Sequence, residues 1–267
     1  MSIMNAIRKY IRIWRQLSSL AIGSYWSNRI DSAAYLAGKV FRFGFFLLMI
    51  ISLFSFTDEL AGYSKYEVVL FFLTFNLIDV LSQALFRGIY AFRGDIQRGN
   101  FDFVLSKPVN PLFYSLSRLT DILDILFLAP IILLIIYVMG KLPSLPGPTQ
   151  VLLYVALVLA GMVIILGIHI LSASITIWKI ESENFIWLYR EAMTIGRFPP
   201  EVYSPTIRAL FTFIVPVIIA VAFPVKAVLH TLDWRWILFA MVYAAGFLGF
   251  SLLVWKASLK AYSSASS

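Results

Sequence analysis

Apolar residues in this chain gather into runs close to the roughly 20 residues that a helix needs to cross a hydrocarbon core. Six such runs, over about 40–56, 67–86, 121–139, 150–177, 207–225 and 236–255, each predict a transmembrane helix. The fourth is the longest, and must tilt or extend beyond the bilayer. Two further segments show helical periodicity without spanning length. In residues 3–17, Ile3, Ile7, Tyr10, Ile11, Trp14 and Leu17 fall on one face, with Arg8, Lys9, Arg12 and Arg15 opposite. A basic face opposite an apolar one predicts a helix lying in the headgroup layer, with Trp14 and Arg8, Arg12 and Arg15 as its anchors. Over about 183–196, Phe185, Leu188, Tyr189, Ala192 and Ile195 recur at helical spacing behind Ser182 as a cap. Phe198-Pro199-Pro200 then ends that second interfacial helix.

The polar connections are unequal. Gly140–Thr149 holds three prolines and reads as a stiff connector, and the loop after the fifth run is about ten residues. The stretch 87–118 is much longer, charged and rich in turn residues. Its pattern predicts a short helix around Tyr90–Arg98, interrupted by Gly94 and Gly99 and stopped by Lys107-Pro108 and Asn110-Pro111. Such a loop is either a crosswise docking helix for a cytosolic partner or a solvated connector.

Composition agrees with the runs. The chain is 60% hydrophobic and 13% charged, where soluble domains are nearer half apolar and a quarter charged. This is an integral membrane protein. It has no cysteine, which excludes disulfides and thiolate metal sites, and its two histidines form no ligand cluster. The net charge of +8 reflects the sidedness of Lys and Arg and does not call for nucleic acid. With the N-terminus inside, eighteen Lys and Arg face the cytoplasm, and only Lys65, Lys141, Lys226 and Arg235 lie outside. That bias predicts two cytoplasmic termini.

Catalytic motifs are missing: there is no P-loop, no zinc-protease helix and no nucleophile elbow. Polar residues within the spans are few. Asn76, Asp79, Gln83 and, at the inner end, Arg87 share one stripe of the second span, as the wall of a translocation path or as glue between helices. His169 stands alone in the fourth span, a packing residue or a proton relay. Asp121 and Asp124 open the third span, where acids complement the helix dipole. Arg42 reads as snorkelling to the headgroups. Pro130, Pro216 and Pro224 mark kinks or ends of spans.

The order Asp95-Ile96-x-x-Gly99-x-x-Asp102-x-x-Leu105-x-Lys107-Pro108, followed by Pro111, resembles the signature loop of permease subunits of type 2 ATP-binding-cassette exporters, in particular a bacterial branch of them. Arg197-Phe198-Pro199, Val202-Tyr203, Ile207-Arg208, Phe213-x-x-Pro216, Phe223-Pro224 and Lys260-Ala261-Tyr262-Ser263-Ser264 are similar to that branch as well. The resemblance covers nearly the whole chain. It implies an all-α integral membrane fold: an amphipathic N-terminal region (1–38), a six-span permease domain (39–257) with a cytoplasmic coupling loop over about 87–118, and a short tail (258–267). It also implies a cytosolic ATPase partner carrying the ATP and magnesium, a second permease, identical or homologous, and residence in the bacterial cytoplasmic membrane. Arg93, Asp95, Arg98, Gly99, Asp102, Lys107 and Pro108 are the coupling residues by this likeness. The expected cargo is amphiphilic: a drug, peptide, lipid or glycolipid. In such permeases re-entrant helices often follow the fifth span, and the short loop here leaves little room for them. The competing classes are an ion-coupled secondary transporter or channel using Asp79 and His169, and a membrane scaffold without transport. The lack of an inverted repeat and the long polar loop weigh against the first.

Overall fold

The computed structural model describes residues 3–27, 29–179 and 184–262. Among these, every regular element is a helix. α1 (Ile3–Ser27) and α2 (Arg29–Leu53) are followed by α3 (Lys65–Phe86), which a capping box of Ser64 and Glu67 starts. Three short helices, α4 (Ile89–Gln97), α5 (Asn100–Leu105) and α6 (Pro111–Ser117), make up the polar insert. α7 (Ile122–Met139) begins at an Asp121 cap, and α8 (Pro148–Trp178) has a proline in its first turn. After α9 (Asn184–Met193) and two short 3-10 turns come α10 (Pro205–Phe213), α11 (Val217–Val228) and α12 (Trp234–Lys260). Ser182, the expected cap of the second interfacial helix, and residue 183 at its start lie outside the described residues, as do Ser263 and Ser264.

The core is built on α3 and α8. α3 packs along α7, α8 packs along α12 and α11, and α11 closes against α3. Small residues set the closest approach: a Cβ at Gly161 of α8 would stand 2.7 Å from the Ala220 carbonyl oxygen of α11. Close backbone contact of this kind is how helices associate where no water drives them together. α2 lies outside this core and buries almost none of itself. It begins at Arg29, so the boundary drawn at 38/39 falls within a helix.

Four helical runs among the described residues are long and apolar enough to cross a membrane: α2, Lys65–Gln97, α8 and α12. α7 is as apolar but shorter. The span expected at 207–225 is not one helix. α10 and α11 meet at 100°, and the break falls at Ile214–Pro216, where proline cannot continue the helical ladder. This bend makes the pair either a broken span or a re-entrant loop, in place of one straight span.

A second difference lies just upstream. The segment expected to be an interfacial helix over about 183–196, with the prolines after it, lies along α3 from Arg190 to Glu201. Arg190 faces Asp79 and Tyr90, near the end of α3 that leads into the polar insert. Arg197 lies over Phe75 and over Phe46 of α2, about halfway along. Glu201 meets Tyr63, just before α3 begins, and Lys226 at the end of α11. Ten α-helical residues supply about 15 Å, the 3-10 turn about 8 Å and the two extended residues after it about 7 Å of chain, together near the thickness of a hydrocarbon core. Hydropathy missed this traverse because two arginines and two prolines interrupt it.

Candidate functional site

The end of the molecule that carries α1, α4–α6 and the last turn of α12 is the basic end. There the polar insert folds back on itself. Gly88 donates its backbone N–H to the Leu116 carbonyl at 2.8 Å, and a Cβ on Gly88 would stand 2.2 Å from the Ser115 carbonyl oxygen, so only glycine fits this neck. Between α4 and α5, Gly99 takes φ +70°, the left-handed conformation that glycine adopts without steric cost.

Inside the insert Asp95 is buried and its carboxylate meets the Arg118 guanidinium at 2.7 Å. Burial pushes the Asp95 carboxyl above the usual carboxylate range, although Arg118 opposes that shift. Asp102 accepts a hydrogen bond at 2.9 Å from the Tyr262 hydroxyl at the end of α12. Burial, with Asp102 adding to it, pushes that phenol up to about 12. Phe101 packs against Tyr262 and Trp255. Arg93 is partly buried. The exposed face consists of Arg98, Asn100, Phe103, Leu105, Ser106, Lys107 and Pro108. Phe103 is 69% exposed, an apolar ring standing free on a polar surface. Sequence reading missed it, because in an apolar chain one more phenylalanine carries no signal.

α1 lies against the exit of the insert. Lys9 donates to the Pro108 carbonyl at 2.5 Å, Tyr10 stacks edge-on with Phe113, and the Ser18 and Thr120 hydroxyls share a hydrogen bond of 3.0 Å. Arg8, Arg12 and Arg15 are exposed, while Trp14 turns with Ile7 and Ile11 towards an apolar groove beside α6, α8 and α12. The helix runs ten residues beyond the periodic stretch at 3–17.

A cleft opens at the basic end between α2, α3, α7 and α9. Its mouth, about 520 Å³, is lined by Tyr35, Lys39, Arg87, Tyr90, Trp187 and Glu191 among others. It narrows to about 40 Å³ beside Asn76, Asp79 and Gln83 and ends at Arg197. All four residues of the stripe therefore line this cleft, Asn76, Asp79 and Gln83 at its narrow part and Arg87 at its mouth. Asn76 also donates to the Phe72 carbonyl, and Gln83 donates to the Tyr90 hydroxyl at 3.1 Å. Asp79 lines the cleft and also pairs across helices with Arg190 at 3.9 Å. His169 is placed elsewhere, fully buried on α8 between Phe86 and Tyr189, with Nδ1 2.8 Å from the Ile165 carbonyl.

The floor of the mouth is an ion network. Asp121 caps α7 by accepting from the backbone N–H groups of Leu123 and Asp124, and it also meets Arg87, Lys39 and the Tyr35 hydroxyl. Asp124 pairs with Lys39. These acids do more than complement a helix dipole, since they join α2, α3 and α7. Arg118, one turn before them in sequence, pairs with Asp95 instead. Arg42 borders the cleft, and its charge acts on Arg197. At the opposite, far end, burial would raise the Glu201 carboxyl. The hydrogen bond and charge of Lys226, with the Tyr63 hydroxyl, hold it below the usual range instead. No group of three or more acid or histidine ligands gathers among the described residues.

The regular elements of the described residues are thus all helices, several of them long and apolar enough to cross a membrane, with a folded polar insert and a charged cleft. The profile of the family described as ABC-2 family transporter protein matches residues 40–266, most of the chain, and the chain belongs to that family. No curated protein and no solved structure matches it.

Proposed function

We propose that the chain is the permease subunit of an ATP-driven exporter, pairing with a second permease, identical or homologous, and driven by a cytosolic ATPase seated on the α4–α5 insert. The observation that carries this reading is the construction of the insert. A free apolar and basic face (Phe103, Leu105, Lys107, Pro108) rides on a core fixed by the Asp95–Arg118 pair. It is tied to α12 through Tyr262, to α1 through Lys9 and to the base of α3 through Gly88. A push on Phe103 is thereby handed to several helices at once, which is what coupling to a motor requires.

In this reading the six crossings are α2, α3, α7, α8, the broken traverse 184–203 and α12, with α10–α11 as a re-entrant pair at the outer face. Moving Arg208 outward and Arg190 and Arg197 into the membrane leaves the Lys and Arg excess on the basic end. That end is cytoplasmic, with both termini, and the membrane is the bacterial inner one. The cleft mouth then faces the cytoplasm and takes up an amphiphilic cargo. The test is mild purification from the native host with mass spectrometry of the accompanying proteins. An ABC ATPase is expected with the wild type and lost in Phe103→Ala, while the chain itself stays folded. A chain that purifies alone, under conditions that preserve other membrane complexes, would favour ion-coupled transport without a motor.

A further inference from the structure

We propose that the blind end of the cleft holds the head of an anionic amphiphile, between Arg42 and Arg197, with its apolar tail along the neighbouring phenylalanines. The inference rests on reading the cleft as the cargo path. It starts from a charge count along the wall. Lys39 is matched by Asp121 and Asp124, Arg87 by Asp121, and Arg190 by Asp79. Arg42 and Arg197 remain, and neither has a carboxylate within ion-pair distance among the described residues. Glu191, the other acid of the cleft, lines the wide mouth, and its charge and that of Asp79 reach Arg197 without forming an ion pair with it.

Arg197 sits about halfway along α3, where a charge is costly to hold. Its guanidinium lies 4.3 Å from the Phe46 ring centroid and 5.1 Å from that of Phe75. Ring faces return only part of what a guanidinium loses on leaving water. The planar fork is left to serve an oxyanion, and guanidinium groups bind phosphate or carboxylate through paired hydrogen bonds. Phe43, Phe72 and Phe127 complete an apolar lining around the same point. α2, which carries Arg42 and Phe46, buries almost none of itself, so a lipid-like tail reaches this lining without entering the helical core. A cation has no comparable site at the narrow part, since Asp79, Asp121 and Asp124 are already committed to Lys39, Arg87 and Arg190, and Glu191 stands at the exposed mouth.

The test uses the full chain in phosphatidylcholine nanodiscs and radiolabelled dodecyl phosphate as the probe. Dodecyl phosphate is expected to bind, orthophosphate alone not measurably, and dodecyltrimethylammonium at least about tenfold more weakly than dodecyl phosphate. Arg197→Gln and the exposed Arg42→Gln should each weaken dodecyl phosphate binding by about tenfold, the loss of one charge-assisted contact. Arg197→Lys should restore part of it. Lipid mass spectrometry of the chain from native membranes separates the sources. An anionic phospholipid lost in Arg197→Gln marks a resident bilayer lipid, and none retained marks a mobile cargo. Equal binding of the cationic probe, or unchanged dodecyl phosphate binding in both glutamine variants, overturns the proposal. So does loss of permease pairing in Arg197→Gln with binding intact, because Arg197 would then serve a partner's carboxylate. ATPase co-purification, read on the same preparations, fails or succeeds independently and bears on the exporter reading alone.

Discussion

Two segments cross the core side by side and are built in opposite ways. α8 is a continuous helix of 31 residues, apolar along most of its length and clasped by α11 and α12. The traverse 184–203 covers a similar height in pieces: an α-helix, a 3-10 turn and a proline-bounded turn, with Arg190 and Arg197 turned towards the cleft. Backbone polar groups in a bilayer must be satisfied within their own segment or by the surrounding protein. A broken segment is therefore tolerated only where protein or a polar cavity surrounds it, and that is where this one lies. The continuous helix supports, and the broken one borders the cleft.

The contrast is broken most directly at the support. Gly161→Leu forces α8 and α11 apart at a backbone contact that has no side chain to yield. A loss of about 3 kcal/mol or more is expected, read as collapse of the monodisperse peak in detergent chromatography. On the traverse, Asp79→Asn and Arg190→Gln each leave one partner of a partly exposed pair unmatched. We expect about 1–2 kcal/mol apiece and less than their sum for the double variant, measured by thermal unfolding. An additive double variant would show that the two charges do not act on each other. Tyr262→Phe removes one hydrogen bond between α12 and the insert and should cost about 1 kcal/mol of stability. It should also lower ATP turnover in the reconstituted complex more than it lowers the thermal midpoint. The smallest effect concerns pH. Ionised Glu201 is favoured in the fold, so its contribution is full above its ordinary value of 4.5 and is lost as pH falls through the lower folded value. The midpoint difference between wild type and Lys226→Met should therefore shrink as pH falls below about 4.5, and a constant difference would show that this pair does not stabilise the far end.

What hydropathy made legible is the set of regular helices. The runs at 67–86, 121–139, 150–177 and 236–255 lie close to α3, α7, α8 and α12, because an unbroken apolar stretch has one stable form in a bilayer. It failed at 178–228 for one physical reason twice over. Arg190 and Arg197 hid a segment that packs along α3, and the apolar residues around Pro216 made two helices bent by 100° look like one straight span. The stripe of Asn76, Asp79 and Gln83 was readable from spacing alone, since α3 is regular. The cations that face it come from α2 and from the broken segment, and no periodicity within either one reports a neighbour so distant in sequence. The position of Asp95 inside the insert was hidden for a similar reason, because its partner Arg118 lies 23 residues away.

The neck at Gly88 and Leu116 has one more consequence. The polar insert enters and leaves at a single hydrogen-bonded point, and beyond that neck Phe101 and Asp102 hold it to α12 and Pro108 holds it to α1, so that its exposed tip around Phe103 is the part left open to change. Under the proposed reading, the surface for a motor and the cleft for a cargo thus lie in separate parts of one chain.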